Sequence, residues 1–183
     1  MDTCLKHQFL LAMPGLLGDF FGNTITYICE HNEDGAMGLM INRPMDISVA
    51  DLLEHLGIDT ESGLDEPVLM GGPVQTERGL ILHTDDSYDA ASHSLGNGLM
   101  LSSTLESLRN IGSGCGPDQF LLALGHAGWG PGQLEGELAE NAWLTCPAST
   151  EVLFDTPIED RIDKAASTLG IDFRLMGHHA GHA

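Results

Sequence analysis

A chain of 183 residues, 42% of them hydrophobic, is long enough to bury a core, and its 27 acids against 7 Lys and Arg leave a net charge of −20. Such a surface repels phosphate polyanions and anionic bilayers, so nucleic-acid and membrane binding are disfavoured, whereas a basic protein partner or a neutral ligand fits. The start, Met1 to Lys6, carries an acid where a signal peptide has positive charge, the apolar run Phe9 to Met13 stops at Pro14, and no stretch approaches the ~20 apolar residues of a membrane span.

Cys4, Cys29, Cys115 and Cys146 stand far apart with no CxxC pair. Neither a disulfide framework nor a zinc site is indicated, and a cytoplasmic chain with reduced thiols is expected. There is no composition break, so residues 1–183 are read as one domain. In chain order, Thr24 to His31 is β-branched and aromatic and reads as a strand with Ile25, Tyr27 and Cys29 on one face. Asn32-Glu33-Asp34-Gly35 is turn chemistry, and Ala36 to Asn42 returns antiparallel. Arg43-Pro44 ends that strand.

Ser48 with Asp51 predicts a helix start, and Val49, Leu52, Leu53 and Leu56 share a face up to Gly57. Pro67 to Met70 and Leu80 to His83 read as strands joined through Gly71-Gly72-Pro73, and Asp85 to Ala91 as loop. Leu95 to Leu99 predicts a tight hairpin about Asn97-Gly98. Ser103-Thr104-Leu105-Glu106 opens a short helix with Leu105 and Leu108 inward.

Phe120 to Leu124 is an apolar run of strand length, followed by a loop rich in glycine (Gly125, Gly128, Gly130, Gly132) that holds Trp129. Pro131 and the Gln133 to Leu138 run predict a helix. Trp143 to Pro147 reads as a strand, and Thr156-Pro157-Ile158-Glu159 as the start of a helix ending before Gly170. Irregular interleaving of strands and helices, with two hairpins, predicts an α+β domain with a mixed or largely antiparallel sheet and flanking helices.

Several groups offer chemistry, each with a plainer reading beside it. The glycine loop resembles a phosphate cradle in shape, yet it holds no Lys or Arg and carries Glu135 and Glu137, so a backbone corner locked by Trp129 is favoured. Arg43 and Arg78 could clamp an anion, or tie loops to nearby carboxylates. His83 with Asp85 or Asp86, joined by His126, has the composition of an acid–base or metal group; a histidine held by a backbone carbonyl is the commoner case. Cys29 beside His31 is read as buried and inert. His178, His179 and His182 sit on a glycine-rich tail.

The ordered motifs Ala12-Met13-Pro14, Tyr27 to Asn32, Gly35 to Leu39, Ile41-Asn42-Arg43-Pro44, Gly71-Gly72-Pro73-Val74, Ala127-Gly128-Trp129-Gly130, Gly132 to Glu135, Trp143-Leu144-Thr145, Phe154-Asp155-Thr156-Pro157 and Gly181-His182-Ala183 resemble the YqgE/AlgH family of bacterial proteins over nearly the whole chain. The resemblance implies a cytosolic single-domain α+β protein. One member has been described as a transcriptional regulator, and no catalytic residue carries over. Three positions depart from the family pattern: Asp19-Phe20-Phe21-Gly22 replaces an Asp-Pro segment, His126 a Tyr, and Ile162 the Trp that follows Arg161.

The expectation is a non-enzymatic regulatory protein without metal or cofactor, acting through a protein partner. The competing one is a small-ligand binder or enzyme with a pocket near Arg43, Gly72, His83, His126 and Trp129, to which Asn42, Arg78 and Gln133 could add polar contacts. An oligomer paired through an exposed sheet edge is a third.

Overall fold

The computed structural model describes residues 3–14, 18–61, 63–86 and 92–177. Its centre is the strand the sequence marks as apolar, but longer than expected. β9 (Phe120–Trp129) runs straight through Gly125 and Gly128, so the predicted glycine loop shrinks to the corner at Gly130–Gly132. Gly125, at φ +75°, is where the strand slips phase: a Cβ there would sit 2.4 Å from the Gly72 carbonyl oxygen. Only glycine permits that approach.

Ten strands make one hydrogen-bonded system in the order β10-β1-β2-β3-β9-β6-β8-β7. These are β1 (Gln8–Ala12), β2 (Ile25–Asn32), β3 (Gly35–Met40), β6 (Val74–Thr84), β7 (His93–Gly96), β8 (Leu99–Ser102) and β10 (Trp143–Pro147). The edge of β9 facing away from β6 is shared end to end. β3 pairs with residues 127–129, and β5 (Pro67–Met70) runs parallel to residues 123–124. β4 (Pro44–Ser48) pairs with β5, so Pro44 opens a strand that the sequence reading missed. Every other pairing is antiparallel, and the sheet curls. The α+β expectation holds.

Alternation along the strands builds two covered faces. Phe9, Leu11, Ile25, Tyr27, Cys29 and Leu82 pack on one side against Val152, Leu153, Ala165 and Ala166. These last four come from a single π-helical turn, Glu151–Asp155, and from α5 (Arg161–Ser167). On the other face Leu10, Ile28, Trp129 and Trp143 meet Leu134 of α4 (Gln133–Ala139). Farther along that face Ile81 and Leu122 meet α2 (Val49–His55) and α3 (Leu105–Gly112) through Leu53, Leu108 and Ile111. Each such fully buried side chain contributes roughly 1.5–3 kcal/mol, so the three clusters fix the layer order.

The Ser48 capping box forms as predicted, with Ser48 and Asp51 bonded reciprocally. The type I′ chemistry of the hairpin is also present, at Asn97 (φ +53°) and Gly98 (φ +74°). Other details differ. Leu56 and Leu105 are exposed, at 47% and 52%, because each lies at a helix end beyond the reach of the sheet. Thr104, not Ser103, caps α3. Thr156 bonds back to the Glu151 carbonyl at 2.8 Å, closing the π turn, and a 3-10 turn (Ile158–Asp160) precedes α5. The short α1 (Gly18–Phe21) and α6 (Phe173–Gly177) carried no sequence signal. Residues 87–91 of the predicted loop and the histidines of the tail lie outside the described residues.

Candidate functional site

The side chains that sequence reasoning singled out fall into three places. At one end of β9, Trp129 Nε1 donates to Glu137 Oε2 (2.9 Å), and Trp143 Nε1 donates to the same oxygen (2.8 Å). Gln133 Nε2 donates to Glu137 Oε1 (3.1 Å), and Gln133 Oε1 accepts from Gly130 N (3.0 Å). Gly130 N, one backbone donor that a phosphate could use at this corner, is therefore engaged, and the site is a clamp holding α4 to two indoles. A run of edge-on rings leads away from it: Trp129 to Trp143 (6.1 Å), Trp143 to Phe21 (5.9 Å), Phe21 to Phe20 (5.0 Å). Arg43 closes the run, its guanidinium 5.1 Å from the Phe20 ring and its Nη2 donating to the Gly22 carbonyl (3.4 Å). Asn42 is a backbone tie, accepting from Ile25 N and donating to the Asn23 carbonyl.

The second place is the bulge where β6 loses register with β9 between Val74 and Gly79. Gly72 packs so tightly here that a Cβ would lie 2.1 Å from the His126 carbonyl carbon. His126 faces Val74, and its Nδ1 is enclosed with no hydrogen-bond partner among the described residues. Burial, with the charge of Arg78 second, holds its imidazole below the ordinary 6.5. Arg78 reaches Gln75 Oε1 (3.4 Å) and Ser103 Oγ (3.2 Å) instead of the carboxylate expected for it.

The third is His83, 2% exposed and opposite Phe120 at the far end of β9. Its Nδ1 donates to the Thr84 carbonyl (2.7 Å), which leaves Nε2 to accept from Ser102 Oγ (2.7 Å), itself 2.5 Å from Ser92 Oγ. The favoured reading of His83, a histidine held by a backbone carbonyl, is the one observed, and no hydrogen bond joins it to Asp85 or Asp86 among the described residues. Asp86 takes the Thr84 hydroxyl (2.6 Å) and the Asp118 amide (3.2 Å), and the run His83-Thr84-Asp85-Asp86 passes from the core to the surface. Trp129 lies nine residues beyond Phe120, about 30 Å along the strand at ~3.3 Å per residue. The single pocket expected around Arg43, Gly72, His83, His126 and Trp129 is thus divided.

Cys29 is sealed in the core, and burial pushes its thiol up to about 12. The bulge at Cys29 separates it from His31, whose Nδ1 accepts from Leu5 N (2.9 Å) and whose Nε2 meets Glu135 Oε1 (2.6 Å). Among the described residues no group of three or more His, Cys, Asp or Glu is placed to hold a metal, and no helix is long and apolar enough to cross a membrane.

Sequence reading passed over Arg161. It is 6% exposed, and its Nε donates to the Thr156 carbonyl (3.2 Å) while Nη1 donates to the Ile41 carbonyl. No carboxylate of a described residue lies within ion-pair distance of it. Burial lowers its ordinarily very high pKa, with Glu159 partly opposing that shift. The only sequence signal was an arginine four residues beyond Pro157, beside a departure from the family pattern at Ile162.

A curled, mostly antiparallel sheet with helices on both faces, with glycines spent on close strand contacts at Gly72 and Gly125, defines a single-domain α+β protein. The sequence pattern of the AlgH-like family matches residues 9–174, and the chain belongs to that family. It is 50% identical to a UPF0301 protein of Pseudomonas putida over 98% of this chain and 96% of the relative. A UPF0301 protein of Shewanella oneidensis is 49% identical, covering 98% of each. The solution structure of the AlgH protein from Pseudomonas aeruginosa superposes with a TM-score of 0.80 at 46% identity, over 100% of this chain and 98% of that one.

Proposed function

We propose that this chain is a non-enzymatic regulatory protein of the bacterial cytosol that works by docking a basic segment of a protein partner. One observation carries the reading. An open groove of about 510 Å³ runs beside the π turn and α5, where Glu151, Asp155, Asp160 and Asp163 face only Lys164 and Arg174. Both cations are already engaged, Lys164 with Glu151 (3.2 Å) and Arg174 with Asp163 (3.7 Å). The surplus of carboxylates in a concavity, on a chain of net charge −20, suits a Lys/Arg-rich peptide and repels a DNA backbone. The regulatory role implied by the resemblance to AlgH then operates through a protein, not through a duplex.

The test is capture of a basic protein or peptide by the immobilised chain, with cross-links mapping to Asp155, Asp160 and Asp163. Raising salt from about 0.1 M to about 1 M shortens the Debye length from ~10 to ~3 Å and should release it. Retention that is indifferent to salt, or tight salt-sensitive binding of duplex DNA, would overturn the reading. A second reading, a small-ligand role at the β6–β9 bulge, draws on the unpartnered Nδ1 of His126. There a donor group of a ligand would restore the missing hydrogen bond.

A further inference from the structure

A second concavity, separate from the acidic groove in its lining and chemistry, is built around Arg161. It measures about 160 Å³ and is walled by Phe120, Leu121, Phe154 and Ile158, with Glu66 and Arg161 as its charged members. Phe120 and Leu121 open β9, Phe154 comes from the π turn, and Ile158 from the 3-10 turn that leads into α5. A cation with 94% of its surface removed from water needs compensation, and two backbone carbonyls satisfy only two of its five N–H donors. Nη2 makes no hydrogen bond to any described residue.

We infer that this cavity is a binding site for a small monocarboxylate with a compact apolar body, its carboxylate on Arg161 and its body among Phe120, Leu121, Phe154 and Ile158. Size sets the body: an apolar cavity of ~150 Å³ accepts a benzene ring. Charge sets the head, because a guanidinium presents a planar donor fork that matches one carboxylate. A phosphate or sulfate fits poorly. Its further charge would meet aromatic and aliphatic walls, with the Glu66 carboxylate in the lining and no second cation. The two carbonyl bonds hold the guanidinium to the ends of two separate segments, at Ile41 and Thr156, so it is oriented before any ligand arrives.

The test is titration of the full chain with sodium benzoate and with isovalerate, followed by amide and side-chain NMR. Benzamide serves as the neutral isostere and inorganic phosphate as the competing anion. The expected result is saturable shifts confined to Arg161, Phe120, Leu121, Phe154 and Ile158, with benzamide at least about tenfold weaker for want of the charge-assisted pair. Arg161→Gln should abolish benzoate binding. Because Arg161 also ties two segments together, Ile158→Trp is the companion variant. It fills the cavity with the guanidinium in place and should weaken benzoate about tenfold or more while the amide spectrum elsewhere stays native. The inference is overturned by the absence of saturable shifts in the wild-type chain at about 20 mM ligand, ample for even a ~1 mM Kd. It is equally overturned by benzamide binding as well as benzoate, by phosphate displacing benzoate, or by unchanged binding in a folded Ile158→Trp chain.

Discussion

Replacing Glu137 with Ala is the sharpest perturbation of the fold. One carboxylate oxygen accepts from both indoles, Trp129 and Trp143, which are 7% and 4% exposed, and the other accepts from Gln133. Hydrogen bonds to a charged acceptor contribute about 1.5–3 kcal/mol each, and a buried donor left unsatisfied costs about 1–3 kcal/mol. Because the two indole bonds share an oxygen and Glu137 is only half-buried, the lower half of that range applies. A loss of about 3–4 kcal/mol follows, a large share of a typical 5–15 kcal/mol. At about 2–4 °C per kcal/mol for a domain of this size, the melting temperature should drop roughly 10 °C. These are the only two tryptophans, so equilibrium unfolding followed by their fluorescence reads the site directly. Glu137→Gln keeps an acceptor and should lose about half as much. A loss below about 1 kcal/mol for the alanine variant would refute the clamp, showing that water replaces the carboxylate at no cost.

Three further outcomes follow from the same structure. Gly72→Ala should prevent stable folding, since its Cβ would meet the His126 main chain at 2.1 Å, whereas Gly136→Ala, in open space on α4, should stabilise by about 0.5–1 kcal/mol; denaturation midpoints separate the two. In the native chain a thiol reagent at neutral pH should modify Cys4 and Cys115 and spare Cys29 and Cys146, with all four reacting after denaturation.

The pH dependence has a definite sign on each side. His7 and His126 are held below 6.5 mainly by burial, so below that value the unfolded chain binds more protons and stability falls with acid. Cys29, raised from 9.0 to about 12, and Tyr27, also raised by burial, stay protonated when folded, so stability falls as pH climbs above about 9. Urea unfolding at pH 5, 7.5 and 10 checks both limbs, and a flat profile would contradict the burial of these groups.

Where a sequence pattern encodes a local preference, it was legible. The Ile25-Tyr27-Cys29 face, the Ser48 capping box and the Asn97-Gly98 turn are set by residues a few positions apart, and each forms. β4 was hidden because Pro44 reads as a terminator until β5 offers its edge. The apparent loop at Gly125–Gly128 was strand because Gly125 serves close approach between β9 and the Gly72–Val74 backbone, a long-range fact that a local reading takes for flexibility. The candidate histidines were visible as residue types, but their partners came from distant strands: Ser102 for His83, the bulge for His126. Arg161 gave little local sign, since its importance lies in a cavity walled by segments some forty residues apart in the chain, Phe120 and Ile158 among them.

The central claim is that the carboxylates beside the π turn and α5 recruit a basic protein segment. It is tested most directly by measuring, by isothermal titration, the affinity of a captured basic segment for the wild-type chain and for the Asp155→Asn, Asp160→Asn, Asp163→Asn triple variant. The account predicts at least about a tenfold loss in the variant, shrinking as salt is raised, with the melting temperature held. Equal affinity for both chains would contradict it.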